Sequence, residues 1–226
     1  MVIRFTTPRE IEMQRAEERK KIEEFWRCFQ SVSADLLAGT DDGLLLIELS
    51  NHLYAIHPGL IWETGPGQSK RRQLTISPNL NPDLRDTAKN LVSAAPALED
   101  WEFQYARRPR KWDYQLMLET GRGAPIEIDA SGWVFIALYS PPGTYQILLH
   151  GGNLPPLTND QRRQAAADVL VNLVGEEVVL DVISDFGLVH TLEPLEALST
   201  KQIRLLRETV AGPSDWKCCP LGGRYV

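Results

Sequence analysis

The chain contains RQLTISPNLNPDLRDTAKNLVSAAPALEDWEFQY at residues 72–105. The alternating apolar residues at its start predict a strand. Asn81 followed by Pro82 predicts the beginning of a helix, because Asn caps a helix and Pro fits its first position. The aromatic residues of Trp101–Tyr105 predict a second strand. The whole stretch therefore predicts a β-α-β unit.

A second stretch, residues 144–183, predicts the same order of elements. The first strand is Thr144–Leu149. A helix follows, for which Thr158 and Gln161 have the spacing of a capping box. The last strand is predicted at Val178–Ile183. Two β-α-β halves, with further short strands bounded by glycine and proline, predict an α+β protein with mainly antiparallel sheets.

A long N-terminal helix is predicted to precede both halves, over residues 8–38. Its apolar residues recur at steps of three and four and form one stripe. They are Ile22, Phe25, Trp26, Phe29, Val32 and Leu36. The polar first half, residues 9–21, is predicted either to face solvent or to meet a second subunit in a homodimer. Gly39 is expected to end this helix, and a second helix is predicted at residues 42–56.

The predicted organisation has three parts. A helical arm comprises residues 1–40, a first α/β half residues 41–110, and a second α/β half residues 111–226. The second half is expected to include a C-terminal helix that Ser199 and Gln202 open, followed by a tail. A basic stretch, Arg107–Trp112, marks the predicted seam between the halves.

Composition narrows the class of protein. The 226 residues carry a formal net charge of −6, which disfavours general binding to nucleic acid. No apolar run reaches the roughly 18 residues that a membrane helix needs, and the N-terminus does not resemble a signal peptide. We therefore expect a cytoplasmic protein with no membrane partner.

Few residues have a pattern that indicates catalysis or a metal ion. The GxSxG and HExxH motifs are absent. Cys28, Cys218 and Cys219 form neither a disulfide framework nor a CxxC motif. The four histidines are scattered, and each is interpreted as a packing or capping residue. We accordingly predict no catalytic residue, no cofactor and no metal ion.

The negative charges are gathered along the chain. No Lys or Arg occurs from Cys28 to Ser69 or from Asp168 to Glu196, although both segments contain several carboxylates. Such segregation predicts an acidic face, provided that the segments also cluster in space. The predicted partner-binding residues are Asp168, Glu176, Glu177, Asp181 and Asp185, with Asp41 and Asp42 as a second patch.

Two other functions stay open at this point. Asp83 and Glu102 resemble the carboxylates of metal-dependent nucleases, although Gln104 stands where that pattern has a lysine. The aromatic and basic stretch Arg107–Trp112 would suit a module that binds single-stranded nucleic acid. The alternatives are therefore a metal-dependent nucleic-acid enzyme and a nucleic-acid-binding module.

Several segments resemble an uncharacterised bacterial α+β family that includes type VI secretion immunity proteins of the TsiT type. The segments are His57–Leu60, Trp62–Glu63, Leu74–Ser77, Leu91–Pro96, Trp101–Phe103, Ala106–Pro109 and Gly175–Glu176. The resemblance implies a non-enzymatic immunity protein, or antitoxin, that binds and neutralises a cognate secreted toxin. A nuclease toxin would suit an acidic face, because clefts that bind phosphates are basic.

Overall fold

The computed structural model of the chain describes residues 7–39, 43–119, 123–140, 143–152, 154–189, 201–202 and 206–210. The chain forms two compact units, Met1–Ala106 and Arg107–Val226. The helices and the small, mostly antiparallel sheets confirm the predicted α+β class.

Helix α1 spans Pro8–Ala38, as predicted, and belongs to the first unit. It begins with a capping box in which Thr7 Oγ1 accepts a hydrogen bond from Glu10 N, and the Glu10 carboxylate accepts one from Thr7 N at 2.7 Å. It ends at Gly39, whose φ of 70° is the left-handed conformation that glycine adopts at little cost. All six residues of the predicted apolar stripe are buried.

The first unit continues with a second helix and a three-stranded sheet. The elements are α2 (Leu44–Ile56), β1 (Ile61–Pro66), β2 (Arg72–Ser77), α3 (Arg85–Ser93) and β3 (Trp101–Gln104). Strand β2 is central; it pairs antiparallel with β1 and parallel with β3. Asn81 caps a 3-10 turn that starts at Pro82 and leads into α3. The first predicted β-α-β unit is therefore confirmed.

Aromatic side chains hold α1 against this sheet. Trp26 lies edge-on to Phe103 with ring centroids 4.8 Å apart, and Phe29 lies edge-on to Trp101 at 5.0 Å. Such edge-to-face pairs add about 0.5–1.5 kcal/mol each to the free energy gained by burial. Trp26 Nε1 donates a hydrogen bond to the carbonyl of Leu91 at 2.8 Å, so the one polar atom of this ring is satisfied.

The second unit contains a hairpin, a four-stranded sheet and helices. The elements are β4 (Gln115–Leu118), β5 (Ile126–Asp129), β6 (Val134–Ser140), β7 (Thr144–His150), α4 (Asn159–Val174), α5 (Glu176–Val182), β8 (Ile183–Val189), β9 (Lys201–Gln202) and α6 (Leu206–Val210). The larger sheet has the order β8-β7-β6-β9, in which β7 and β8 are parallel. Helix α4 connects these two strands and begins with the predicted capping box of Thr158 and Gln161.

The prediction of a strand at Val178–Ile183 is wrong. Helix α5 occupies most of that range, and the parallel strand β8 begins only at Ile183. Gly175 ends α4, and the carboxylates of Glu176 and Glu177 then occupy the first turn of α5, where the helix dipole favours negative charge. The second stretch therefore keeps the predicted β-α-β order, but its last strand begins later in the sequence than predicted.

The C-terminal prediction is also corrected in part. Gln202 lies in strand β9 and not in the first turn of a helix, and helix α6 begins at Leu206. Ser199, Cys218 and Cys219 lie outside the described residues. Among the described residues, no helix combines the length and the apolar character needed to cross a membrane.

Candidate functional site

The structure separates the predicted partner-binding residues into groups. Asp41 and Asp42 lie outside the described residues. The other five belong to the second unit, where Glu177, Asp181 and Asp185 are exposed, Asp168 is half-buried and Glu176 is buried. Three of the five can therefore meet a partner directly. We call Glu177, Asp181 and Asp185 the acidic segment.

Local structure fixes where the acidic segment lies. Glu177 and Asp181 are four residues apart on α5, a spacing that places both side chains on one face of a helix. Asp185 follows at the start of β8. The register of β8 against β7 shifts here, since Tyr145 pairs with Ile183 and Gln146 pairs with Asp185.

A side-chain hydrogen bond accompanies this shift in the register of β8 against β7. Ser184, the residue between the two pairs, donates from Oγ to the Tyr145 carbonyl at 3.2 Å. A β-bulge of this kind bends a strand and re-aims the side chains beside it. This irregularity lies directly before Asp185 in β8.

Glu176 is buried, which disfavours direct contact with a partner, and its role as a binding residue stays a prediction. Its side chain is 0% exposed and accepts a hydrogen bond from Arg107 N at 2.9 Å. The Arg107 guanidinium lies beside the same carboxylate, with Nε 3.5 Å from Oε2. A buried carboxylate needs such partners, because burying an unpaired charge is very costly. Glu176 is therefore part of the framework that holds α5.

Asp168 also interacts electrostatically with two cations, Arg107 and Arg110. Burial raises the pKa of its carboxyl above the ordinary value, while Arg107, a hydrogen bond with Gln164, and Arg110 act in the opposite direction. The raised pKa shows that desolvation outweighs the attraction of the two arginines. Asp168 therefore contributes less negative field at the surface than the sequence suggested.

The basic stretch Arg107–Trp112 is held by its own unit. Besides the contact of Arg107 with Glu176, Arg110 N donates to the Asn172 carbonyl at 2.9 Å. Trp112 packs against Tyr114 with ring centroids 5.1 Å apart. The engagement of the Arg107 guanidinium and the packing of Trp112 disfavour the nucleic-acid alternative, although the exposed Arg110 and Lys111 leave it open.

A cation–π contact links a residue of α4 to a residue of β8. The Arg163 guanidinium is stacked over the Phe186 ring, 5.1 Å from its centroid. Phe186 follows Asp185 directly in β8. This cation–π pair therefore connects α4 to β8.

The carboxylates of the nuclease alternative have structural roles. Glu102, in the first unit, accepts hydrogen bonds from Gln68 N at 2.8 Å and from Ser69 N at 2.9 Å, and a third from Ser69 Oγ. Both of its oxygens therefore hold the turn between β1 and β2. Asp83 lies in the 3-10 turn that Asn81 caps. These contacts disfavour a role for Glu102 as a magnesium ligand.

Sequence reasoning missed one cluster of potential metal ligands. In the first unit, Cys28 on α1 and Glu48 and His52 on α2 each offer one ligand atom, and these atoms all lie within 4.8 Å of one another. Burial raises the pKa of the Cys28 thiol, and the Glu48 carboxylate raises it further. The sequence alone favours a packing or capping role for His52.

A signal for this cluster exists in the sequence. Cys28 lies 11 residues before Gly39, and Glu48 and His52 lie 9 and 13 residues after it. If two helices fold back on each other at Gly39, residues at similar distances from the turn meet. The spacing of Glu48 and His52 then places both on one face of α2.

The fold and these contacts define a two-unit α+β protein with an acidic segment on its second unit and a cluster of mixed ligands in its first. Compared with models of protein families, with curated proteins and with solved structures, the chain matches none.

Proposed function

We propose that this chain is a non-enzymatic bacterial immunity protein that acts in the cytoplasm by binding and neutralising a cognate secreted toxin. The observation that carries the proposal is the exposed acidic segment on a firmly anchored α5. Glu177 and Asp181 share one helix face, and Asp185 follows at the bulge. The sequence resemblance to type VI secretion immunity proteins supports the same function.

The physical argument is electrostatic complementarity. A nuclease toxin has a basic cleft, because it binds phosphates. Exposed carboxylates on an inhibitor attract such a cleft and accelerate association, and this attraction weakens as salt is added. Rigid anchoring of α5 by Glu176 lowers the entropy that the inhibitor loses on binding.

The first experiment asks whether a toxin exists. The protein encoded beside this chain is expressed in bacteria with and without the chain, and growth is followed. We expect growth to stop with the neighbouring protein alone and to resume when the chain is co-expressed. Growth that stops in both cultures, or in neither, would contradict the proposal.

The second experiment tests the acidic segment in that pair. A triple variant, Glu177→Gln, Asp181→Asn and Asp185→Asn, is compared with a matched control, Glu12→Gln, Glu23→Gln and Glu99→Gln, whose residues are exposed in the first unit. Both variants lose three negative charges. We expect association of the first to slow on the order of tenfold at low salt and to depend less on salt. Equal association rates for both variants would rule out docking through the acidic segment.

A further inference from the structure

We propose that Cys28, Glu48 and His52 form a binding site for a divalent transition metal ion, with Zn²⁺ as the preferred ion. The site belongs to the first unit and does not depend on the proposed function. The observation is that a thiol, a carboxylate and an imidazole from two helices bring their ligand atoms within 4.8 Å of one another.

The distances are close to those of an occupied site. In tetrahedral zinc sites the Zn–S and Zn–N distances of about 2.3 and 2.0 Å place ligand atoms about 3.5 Å apart. The observed separations exceed this by no more than roughly 1.3 Å. Changes in the side-chain torsions of Glu48 and His52 can supply such a movement, since Glu48 is exposed and His52 is only half-buried.

The two helices present the ligands on firm supports. Cys28 is 8% exposed and belongs to the buried stripe of α1, between Phe25 and Val32. Helix α2 packs against α1. Its residues Glu48 and His52 are one turn apart, so one ion can reach both. Sites on helices hold their ligands more accurately than sites on loops.

The donor set selects the class of ion. Mg²⁺ and Ca²⁺ prefer oxygen ligands alone, whereas thiolate and imidazole ligands select zinc and neighbouring transition metals. Three protein ligands leave the fourth position of a tetrahedral ion to water or to another donor.

Metal binding would clamp α1 to α2. An ion that binds only the folded state stabilises it by an amount that grows with the ratio of free ion to the dissociation constant. We therefore expect the melting temperature of the metal-free chain to rise on addition of ZnCl₂. We also expect chelation to reverse this rise.

The test must separate Cys28 from the other two thiols of the chain. Cys218→Ser and Cys219→Ser are introduced together, which leaves Cys28 as the one cysteine of the 226 residues. The metal-free protein is then titrated with CoCl₂, followed by absorption, and with ZnCl₂, followed by calorimetry. A thiolate-to-cobalt charge-transfer band in this background comes from Cys28, and we expect it at one ion per chain.

Three further variants in the same background complete the design. Glu48→Gln and His52→Asn each remove one ligand, and Glu23→Gln alters an exposed carboxylate of α1 outside the cluster. Circular dichroism checks that all of them fold. We expect zinc affinity to fall by more than about tenfold in the first two and to stay unchanged in the third. Absence of the charge-transfer band, or equal zinc affinity in His52→Asn and the background, would overturn the proposal.

Discussion

Arg107 and Glu176 bind each other through backbone and side chain together. Glu176 N donates to the Arg107 carbonyl at 2.8 Å, and the Glu176 carboxylate accepts from Arg107 N at 2.9 Å. The guanidinium lies against the same carboxylate. These contacts join the first residue of the second unit to the start of α5, across 69 positions of sequence. The acidic segment therefore begins at Glu177, the residue that directly follows the anchored Glu176.

The first prediction concerns the buried carboxylate of this pair. Replacing Glu176 with Ala removes the carboxylate that pairs with the Arg107 guanidinium, which is 12% exposed, and leaves Arg107 N without its acceptor. We expect the free energy of unfolding to fall by about 3–5 kcal/mol, as for other buried pairs that lose one partner. Urea denaturation measures this loss. Glu177→Ala, one position along and exposed, is the control and should change stability by no more than about 0.5 kcal/mol.

The second prediction concerns the glycine before this carboxylate. Gly175 has φ 88° and ψ 153°, a conformation that is nearly exclusive to glycine, and an added Cβ would lie 2.7 Å from Pro109 Cδ. We expect Gly175→Ala to lower the free energy of unfolding by about 1–3 kcal/mol. Gly132→Ala is the matched control, since a Cβ there meets nothing within 4 Å. Equal denaturation midpoints for the two variants would contradict this reading of Gly175.

Local patterns predicted the regular elements well. The apolar spacing of α1 and the capping box of α4 each identified a helix, because both signals arise within one turn of the chain. The strand predicted at Val178–Ile183 failed for a related reason. Its β-branched residues favour a strand, but Gly175 and the two carboxylates after it favour the start of a helix, and the second signal prevails.

The site was predicted less well, because its decisive contacts are distant in sequence. The run without cations from Asp168 to Glu196 was visible, but nothing in it indicates that Arg107 pairs with Glu176. Glu48 and His52 lie 20 and 24 positions after Cys28 in the sequence. The three residues meet only because α1 and α2 pack against each other. A pattern along the chain records charge and periodicity. The distances of Cys28, Glu48 and His52 from Gly39 become informative only once the two helices are known to fold back on each other.

The third prediction concerns the turn between β1 and β2. Glu102→Gln keeps the shape of the side chain but replaces one acceptor oxygen with a donor that faces the N–H groups of Gln68 and Ser69. Leaving a fully buried donor unsatisfied costs about 1–3 kcal/mol. These N–H groups are only partly buried, so we expect a loss of about 1 kcal/mol. Glu99→Gln, an exposed neighbour, should have almost no effect.

A double-mutant cycle can assign this loss to the turn. Ser69→Ala removes the hydroxyl that donates to Glu102 and leaves the backbone N–H in place. Because the two residues are in contact, we expect the combined variant to lose less stability than the two single losses added together. Strict additivity would show that Glu102 stabilises the protein by another route.

The last prediction is a pH dependence that Asp168 contributes. Burial raises the pKa of this carboxyl, so in a range just above its ordinary pKa the folded state holds a proton that the unfolded state has lost. The contribution of Asp168 to stability is therefore present at low pH and is lost as pH rises through the ordinary pKa and then the raised one. Asp168→Asn removes this loss, so the stability of the variant relative to the parent should increase from acid to neutral pH. Urea midpoints across that range measure this change in relative stability. A difference between variant and parent that stays constant with pH would contradict the assignment.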